Sequence, residues 1–318
     1  MARKKTDKPR KVQKRVRVED SKRYWFITVK TTLDRLWFVN NPELSKKIVA
    51  YLAKYQQVFG VELYGFILMG NHYHLSARFP RRNRARFLQA YNSVIQKLVQ
   101  VYVPEFQGGQ LIARNYDCPT HITNEDVEHW VFYLWANPVT TGLVSNISQY
   151  NLYNSFVDAS KGREREFKIV NWTEYKNRVR FNKNLTPKDF TYTYTLKFSR
   201  LPGYEEMTAK EYEAMLVKKL KSREKEALKG FKEIGYNVGN NKTLANVLPG
   251  SRPKNPKKRK RDSHRPLVLT LSDEARVKYV TWYFNMLRAY QKASEQYQAG
   301  DLNVKFPEGT YRPVVFLN

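Results

Sequence analysis

The sequence contains little cysteine, no long apolar run and few acidic residues. Cys118 is the single cysteine, so a disulfide within the chain is impossible and a reducing compartment is expected. No run approaches the roughly 18 consecutive apolar residues of a membrane-spanning helix. The first residues are basic and lack the apolar core of a secretion signal. We therefore expect an intracellular protein without a membrane partner.

The deficit of acidic residues is the strongest compositional feature. Lysine and arginine number 57 against 29 aspartates and glutamates, which gives a formal net charge of +28. A field of this size attracts polyanions, and counterion release makes nucleic acid the expected partner. An anionic membrane surface is the lesser alternative, because no basic amphipathic helix with a large apolar face stands out. Apolar residues make up 42% of the chain, which is enough for a packed core.

The N-terminal half alternates between strand and helix patterns. Strand-like runs cover 23–30, 61–69, 72–79 and 110–114, and apolar residues recur at helical spacing over 42–59 and 84–102. Gly70-Asn71 predicts a tight turn with positive φ between the second and third strands. The order β-α-β-β-α-β is the split βαβ, ferredoxin-like arrangement. We expect an α+β fold whose antiparallel sheet is covered by helices on one face and leaves the other face free for a site.

The pattern changes beyond about residue 160. Aromatic residues alternate with threonines over 190–198 and predict a strand whose aromatic face belongs to the core. Thr208 and Glu211 form a capping box that opens a long charged helix, and Ser272 caps a last helix. We expect a basic flexible arm at 1–22, a domain with the candidate site at 23–159, and a mostly helical, basic, nucleic-acid-binding extension at 160–318 with a basic linker at 236–266.

His72 and His74 stand two residues apart on the strand that follows the Gly70-Asn71 turn. Because side chains alternate along a strand, both imidazoles point to the same face of the sheet. That spacing lets them bind one metal ion or one phosphate. The alternative is that the pair is merely polar surface.

A second group of polar residues lies on a predicted helix that begins after Thr123 and stops at Pro138, because proline cannot continue it. Three residues spaced four apart share one face of this helix: His129, Tyr133 and Asn137. A helical stripe is more often core than catalytic. Here, however, a separate face of aliphatic and tryptophan side chains is available for the core.

These residue types support phosphoryl transfer in a basic protein. Two imidazoles and an amide oxygen can hold a metal ion whose open positions accept the oxygens of a scissile phosphate. A tyrosine in line with that phosphate can attack as phenolate, which leaves a covalent phosphotyrosine and a free 3′-hydroxyl. The pKa of tyrosine is about 10, so positive charge or the metal must favour the ionised form. Single-stranded or hairpin DNA fits such a site better than a duplex.

The same motifs carry a resemblance to a known family. The run Asn71-His72-Tyr73-His74-Leu75 resembles the His-hydrophobe-His motif of HUH endonucleases. The run Tyr133-Leu134-Trp135-Ala136-Asn137-Pro138-Val139, followed by Gly142-Leu143-Val144, is similar to the nucleophile helix of single-tyrosine transposases. The chain most resembles the repetitive-palindrome-associated tyrosine transposases, and the tail 299–313 is similar to the end of their longer members. Gly70 departs from the proline usually found there, and Ser76-Ala77 from a more apolar strand.

The resemblance implies a ferredoxin-like HUH nuclease domain at 23–159. It implies Tyr133 as nucleophile and His72, His74 and Asn137 as ligands of Mg²⁺ or Mn²⁺, with His129 in a supporting role. The implied substrate is a DNA hairpin with a short flanking guide, cut and rejoined by a monomer or homodimer in the bacterial cytoplasm, associated with the nucleoid.

Basic residues outside these motifs are expected to position nucleic acid through phosphate contacts rather than to take part in the chemistry. They are Arg81, Arg82, Arg84, Arg86, Arg114, Lys257, Lys258, Arg259, Lys260 and Arg261.

Two alternatives remain open. A replication initiator or relaxase would use the same chemistry. Two features argue weakly against it: the single tyrosine and the lack of a Gly-x-x-x-x-Gly-Lys-Ser/Thr helicase motif. A domesticated, non-catalytic nucleic-acid-binding protein would keep the fold alone, but all of His72, His74, Tyr133 and Asn137 are present. A covalent adduct with hairpin DNA and Mn²⁺ distinguishes the two enzymes from the non-catalytic alternative.

Overall fold

A four-stranded antiparallel sheet forms the centre of the fold. The computed structural model describes residues 16–113, 116–253 and 267–313. The first elements are β1 (Tyr24–Lys30), α1 (Pro42–Phe59), β2 (Glu62–Leu68), β3 (His72–Arg78), α2 (Arg84–Tyr102) and β4 (Thr120–His121). The strands lie in the order β2-β3-β1-β4, and each neighbouring pair is antiparallel. The fold is therefore α+β, and its elements follow in the predicted order.

The fourth strand lies further along the chain than the sequence predicts. Within the predicted segment 110–114, Ile112 forms a single bridge to Thr31, directly after β1. Asp117 forms another, and regular pairing begins only with β4. Pro119 has no N–H to add to a ladder, which keeps this edge strand short and irregular.

Six α-helices and two strands follow the sheet in the described part of the chain. They are α3 (Asn124–Thr140), α4 (Phe156–Ser160), β5 (Arg165–Val170), α5 (Trp172–Arg178), β6 (Thr191–Leu196), α6 (Ala209–Glu233), α7 (Asn241–Ala245) and α8 (Asp273–Gln298). The predicted caps at Thr208 and Ser272 begin α6 and α8. β5 pairs with β6, and no strand was predicted at β5 because its residues are largely exposed and charged. Within the described ranges, no helix has both the length and the apolarity to cross a membrane.

The first core lies between one face of the sheet and helices α1 and α2. Alternate residues of β1 and β3 enter it: Trp25, Ile27, Val29, Tyr73, Leu75 and Ala77. Leu196 of β6 joins the same core, and Tyr194 packs against it. The prediction that the aromatic face of this strand belongs to the core is therefore confirmed for Tyr194 and Leu196 but wrong for Tyr192, which is exposed.

The second core covers the opposite face, which the sequence analysis wrongly left free. Phe26, Tyr64 and Ile67 point to this face and pack with residues of α3 and α6: Val131, Leu134, Trp135, Tyr212, Leu216 and Leu220. These alternate sheet positions are themselves apolar, so they too must be buried. Gly65 permits the close approach, since a Cβ there would lie 3.3 Å from Val131. Any site on this face therefore lies between the sheet and α3.

The prediction of a flexible arm over 1–22 is wrong for residues 16–22. Residues 1–15 lie outside the described part of the chain, but Val18 and Glu19 are buried. Val18 belongs to a third apolar cluster with residues of α8. The N–H of Glu19 donates to the carbonyl of Gly309 at 2.8 Å. Residues 16–22 are thus held by the C-terminal elements. Their valines pack against α8, although the many basic residues around them predicted a flexible arm.

Pro138 does not end α3, contrary to prediction. The helix continues to Thr140, with Pro138 in its last turn. A proline there removes only its own N–H donor, and the carbonyl of Asn137 still accepts from Thr141, by the N–H at 3.0 Å and the hydroxyl at 2.6 Å. The chain leaves the helix at Gly142, whose φ is 73°.

Candidate active site

The hairpin that carries the two histidines forms as predicted, but its turn works differently. β2 and β3 pair antiparallel across it. Neither Gly70 nor Asn71 has a positive φ. Gly70 is needed for space instead, since a Cβ there would lie 2.9 Å from Leu36 and 3.0 Å from Val39. Close packing of the preceding loop, rather than turn geometry, therefore accounts for this glycine.

The structure brings the imidazoles of His72 and His74 together. Their Nε2 atoms lie 3.1 Å apart. The outer nitrogens are also held: His74 Nδ1 lies 2.8 Å from the hydroxyl of Thr28, and His72 Nδ1 lies 2.6 Å from Oδ1 of Asn71. Partners of this kind fix the orientation of metal-binding histidines. Two nitrogens bound at right angles to one ion at about 2.1 Å would stand about 3.0 Å apart.

Both histidines are neutral near neutral pH. Burial lowers the pKa of His72 well below its usual value, and the nearby His74 and Lys30 lower it further. Burial, with a contribution from Lys30, lowers the pKa of His74 to about 3. Neutral imidazoles keep a lone pair, which a metal ion requires.

The hydrogen bonds indicate which nitrogens carry protons. Asn71 donates through Nδ2 to the carbonyl of Asp34 at 3.0 Å, so its Oδ1 accepts from His72 Nδ1. The proton of His72 therefore sits on Nδ1, and Nε2 is left with its lone pair. The Thr28 hydroxyl can accept from His74 Nδ1 in the same way, which leaves both Nε2 atoms able to bind one ion.

Tyr133 of α3 lies against this pair. Its ring centroid is 6.1 Å from that of His74, 6.2 Å from that of Phe26 and 5.3 Å from that of Trp130. The side chain is nevertheless 37% exposed. Burial raises the pKa of the phenol, and a hydrogen bond with the side chain of Asn137 partly lowers it again. The aromatic neighbours thus fix the ring while substrate can still reach it.

Asn137 lies one helical turn after Tyr133 and is buried. Its Oδ1 is enclosed and has no hydrogen-bond partner. A buried acceptor without a partner is costly, so Oδ1 of Asn137 is free to accept a ligand. Within the described ranges, no three His, Cys, Asp or Glu side chains group together. His72, His74 and the Asn137 oxygen are the side chains that could hold an ion at this site, and such a set of donors suits Mg²⁺ or Mn²⁺ with water ligands besides.

His129 contacts a residue of α6. Its Nδ1 lies 3.2 Å from Nη2 of Arg223 on α6, and Nη1 of Arg223 donates to its carbonyl at 3.2 Å. Burial, followed by the charge of Arg223, lowers the pKa of this histidine. His129 thus links α3 to α6.

Lys30 and Thr28 are neighbours of the histidines that were not predicted from the sequence. Lys30 is the cross-strand partner of His72, and Thr28 is the partner of His74. The alternation of β1 places both side chains on one face, but only the register of β1 against β3 shows which histidine each one meets.

One predicted DNA contact is wrong. Arg84 is only 3% exposed, and its guanidinium lies 3.7 Å from the ring centroid of Trp25. It donates to the carbonyl of Val18 at 2.9 Å and faces Glu19 at 3.8 Å. A side chain enclosed in this way cannot reach a phosphate.

Of the other predicted DNA contacts, Arg81, Arg82 and Arg86 are exposed. They follow the end of β3, about 20 Å along the strand from His72. Arg82 forms an ion pair with Glu308 at 2.7 Å. Arg114, Lys257, Lys258, Arg259, Lys260 and Arg261 lie outside the described residues.

Comparison with known proteins adds little to this geometry. No protein-family model and no curated protein matches the chain. Among solved structures, the chain is similar to a REP-associated tyrosine transposase bound to a REP hairpin, with 17% identity and a TM-score of 0.36. The match covers 45% of this chain and 82% of that one. A likeness at this level assigns neither fold nor function.

Proposed function

We propose that this chain is a metal-dependent endonuclease and strand transferase that acts on single-stranded DNA beside a hairpin through a covalent 5′-phosphotyrosine, as HUH single-tyrosine transposases do. One observation carries the proposal. The Nε2 atoms of His72 and His74 converge to 3.1 Å beside Tyr133, whose hydrogen-bonding neighbour Asn137 has a buried oxygen without a partner. The sheet order β2-β3-β1-β4, with α1 and α2 on one face, supports the ferredoxin-like assignment.

His72, His74 and Asn137 would hold Mg²⁺ or Mn²⁺. When bound, such an ion would supply Lewis acidity to the scissile phosphate. The protein's part is to keep the donor atoms in place: Thr28 and Asn71 fix the two rings from outside.

Tyr133 is the nucleophile in this proposal. Its Oη would form a bond to phosphorus, and the bond from phosphorus to the 3′-oxygen would break, which leaves a free 3′-hydroxyl. The phenol must first lose its proton, which burial opposes. The hydrogen bond with Asn137 lowers the pKa of the phenol again, because it favours the phenolate. The reverse reaction with another 3′-hydroxyl rejoins a strand.

Lys30 adds positive charge where the phosphate would lie. The charge of its ammonium helps to lower the pKa of both histidines. Its Nζ lies 3.9 Å from Oδ1 of Asp34, which is a long ion pair. A cation in that position can pair with a non-bridging phosphate oxygen and stabilise charge that develops there.

The test is adduct formation with the full chain. We would incubate it with Mn²⁺ and a labelled pool of DNA hairpins with randomised single-stranded flanks. A denaturing gel then separates any covalent adduct, and mass spectrometry of the digested adduct locates the modified residue. We expect a Tyr133 phosphodiester that depends on Mn²⁺.

Tyr133→Phe should abolish this adduct. Tyr192→Phe is the matched control, since Tyr192 is 42% exposed, close to the 37% of Tyr133, and lies on β6. It should form the adduct at the native rate. An adduct that survives in the Tyr133→Phe variant, or one carried by another residue, would refute the assignment.

A further inference from the structure

The small sheet of β5 and β6 has two outer edges, and α1 covers the edge of β6. The amide of Gln56 donates through Nε2 to the carbonyl of Lys197 at 2.7 Å and accepts from the N–H of the same residue at 3.1 Å. Gln57 donates to the carbonyl of Thr195 at 3.5 Å. Side chains of α1 thus take the place of a further strand beside β6.

The larger sheet is covered at both of its edges, which are β2 and β4. Beside β2, the N–H of Ser155 donates to the carbonyl of Phe66 at 2.9 Å. Beside β4, the N–H of Leu269 donates to the carbonyl of Thr120 at 2.9 Å. Proteins cover edges in this way because the free N–H and carbonyl groups of a strand invite another strand to pair.

The outer edge of β5 has no such cover within the described ranges. The N–H of Asn171 donates to the carbonyl of Phe190 at 2.8 Å, which extends the β5–β6 ladder by one pair. Bonded and non-bonded pairs alternate along each strand of such a ladder, so the residue before Asn171, and every second residue before that, directs its N–H and carbonyl away from β6. These residues are Glu164, Glu166, Lys168 and Val170. No hydrogen bond to another described residue involves these groups.

β5 also lacks the features by which natural sheets interrupt an uncovered edge. Segment 163–170 contains no proline and no glycine. β5 pairs with β6 over six consecutive residues without a bulge. Glu166 and Lys168 are exposed, whereas Phe167 packs against the first core. The charged side chains could still repel a partner strand, so their pattern decides which strand fits.

The charges of β5 are complementary to those of a second β5. When two copies of the strand pair antiparallel about Phe167, Glu166 of each copy lies opposite Lys168 of the other. Both residues direct their backbone groups outward, so these are also pairs that would exchange hydrogen bonds. A shift of two residues in one direction would place Glu166 opposite itself, and in the other direction Lys168 opposite itself. Like charges directly opposite are destabilising, so the sequence favours one register.

We propose that β5 pairs with β5 of a second copy and joins the two hairpins into one four-stranded antiparallel sheet across a two-fold axis. Up to about eight backbone hydrogen bonds form between the copies. At the axis the half-buried Phe167 faces its own counterpart in a close, non-hydrogen-bonded pair. A single pair of strands buries less surface than a standard interface, so we expect a Kd in the micromolar range.

The high positive charge of the chain does not prevent this contact. Segment 163–170 has three basic and two acidic residues, so the strand itself is almost balanced. Repulsion from more distant exposed charges is largely screened at physiological ionic strength, where the Debye length is about 8 Å. The hairpin belongs to the first core, on the face of the sheet opposite the histidines. Pairing therefore leaves the candidate active site open and needs neither metal nor DNA.

Sedimentation velocity of the full chain, in EDTA without DNA and at about 0.15 M salt, tests the proposal. Over about 1–100 μM the native chain should pass from monomer to dimer. Hydrogen exchange of the peptide that contains residues 164–170 should slow over the same range, because its outward N–H groups enter the new ladder.

Charge reversal tests the register. Glu166→Lys and Lys168→Glu each place like charges opposite one another twice, and each should raise the Kd of the dimer by about tenfold or more. An equimolar mixture of the two variants should dimerise again, because each strand then meets opposite charges. The double variant Glu166→Lys/Lys168→Glu should dimerise like the native chain, since exchanging the two charges keeps opposite signs across this register.

Glu105→Lys is the matched control, since it makes the same charge change at an exposed residue beyond the end of α2. It should dimerise like the native chain. The proposal is overturned if the native chain stays monomeric throughout the range, if the single reversals dimerise as Glu105→Lys does, or if neither the mixture nor the double variant recovers. A monomer whose 164–170 peptide is nevertheless protected would show that another segment of the chain covers β5, and would overturn the proposal as well.

Discussion

The buried amide of Asn137 gives the most direct test of the metal site. Asn137→Leu keeps the size of the side chain but removes Oδ1, which is enclosed without a partner. A buried polar group in that state costs about 1–3 kcal/mol. Leucine also removes the hydrogen bond to Tyr133, whose exposed hydroxyl can bind water instead. We therefore expect the variant to be more stable than the native chain in EDTA by about 1 kcal/mol.

Mn²⁺ should reverse that order. An ion that binds only the folded chain stabilises it by about 2.7 kcal/mol at 100 times its Kd. A variant that lacks one ligand binds less ion and gains less from the same concentration. For chains of 150 to 250 residues, 1 kcal/mol shifts Tm by about 2–4 °C, and a slightly smaller shift is expected here. Both differences can be measured by calorimetric unfolding in EDTA and across a Mn²⁺ titration.

Asn154→Leu is the control for this experiment. Asn154 donates to the carbonyl of Trp135 at 2.8 Å and accepts from the N–H of Phe156 at 3.0 Å, so both ends of its amide are satisfied. Its loss should destabilise the protein in EDTA and leave the gain from Mn²⁺ unchanged. If Asn137→Leu is destabilised in the same way, or keeps the full gain from Mn²⁺, the amide is not a ligand.

Three further outcomes follow from the same contacts. His74→Ala removes one of the two converging nitrogens and should abolish the covalent adduct while hairpin binding in EDTA persists; adduct formation at the native rate would mean that the pair holds no metal. Thr28→Val keeps the shape of the side chain but removes the hydroxyl beside His74 Nδ1, and should weaken Mn²⁺ binding in titration calorimetry by about 10–100-fold; an unchanged Kd would show that the ring needs no such support. Arg84→Met leaves Glu19 buried without its partner and should lower the free energy of unfolding in urea by about 3 kcal/mol. It should not alter the salt dependence of DNA binding, whereas Arg86→Ala should reduce the salt slope by about one; equal slopes for these two variants would contradict the burial of Arg84.

Much of the sheet and its two flanking helices could be predicted from local pattern. α1 and α2 begin and end where the apolar spacing predicts, because each has a continuous buried stripe and a recognisable start. The His-x-His pair could be placed on a strand because strand-like runs lie on both sides of Gly70-Asn71. The covered second face could not be predicted so simply, since its cover comes from α3 and α6, far along the chain.

Arg84 shows where a local signal was present and misread. It stands three, four and seven residues before Phe87, Leu88 and Tyr91, so it belongs to the buried stripe of α2 rather than to the exposed basic run around it. The partners of the two histidines, unlike Arg84, had no local signal in the sequence. Thr28 and Lys30 acquire their roles only from the register between β1 and β3, which no single strand encodes.

Because α3 lies between the sheet and α6, two copies of the protein are not expected to combine their residues into one active site. One side of the helix packs on the sheet close to Gly65, and the other is joined to α6 by an ion pair of Glu128 with Lys219 and by the contact of Arg223 with His129. The helix that carries Tyr133 is therefore fastened to the chain that supplies His74. Mixing the Tyr133→Phe and His74→Ala variants should not restore activity, because neither copy can lend its intact part to the other.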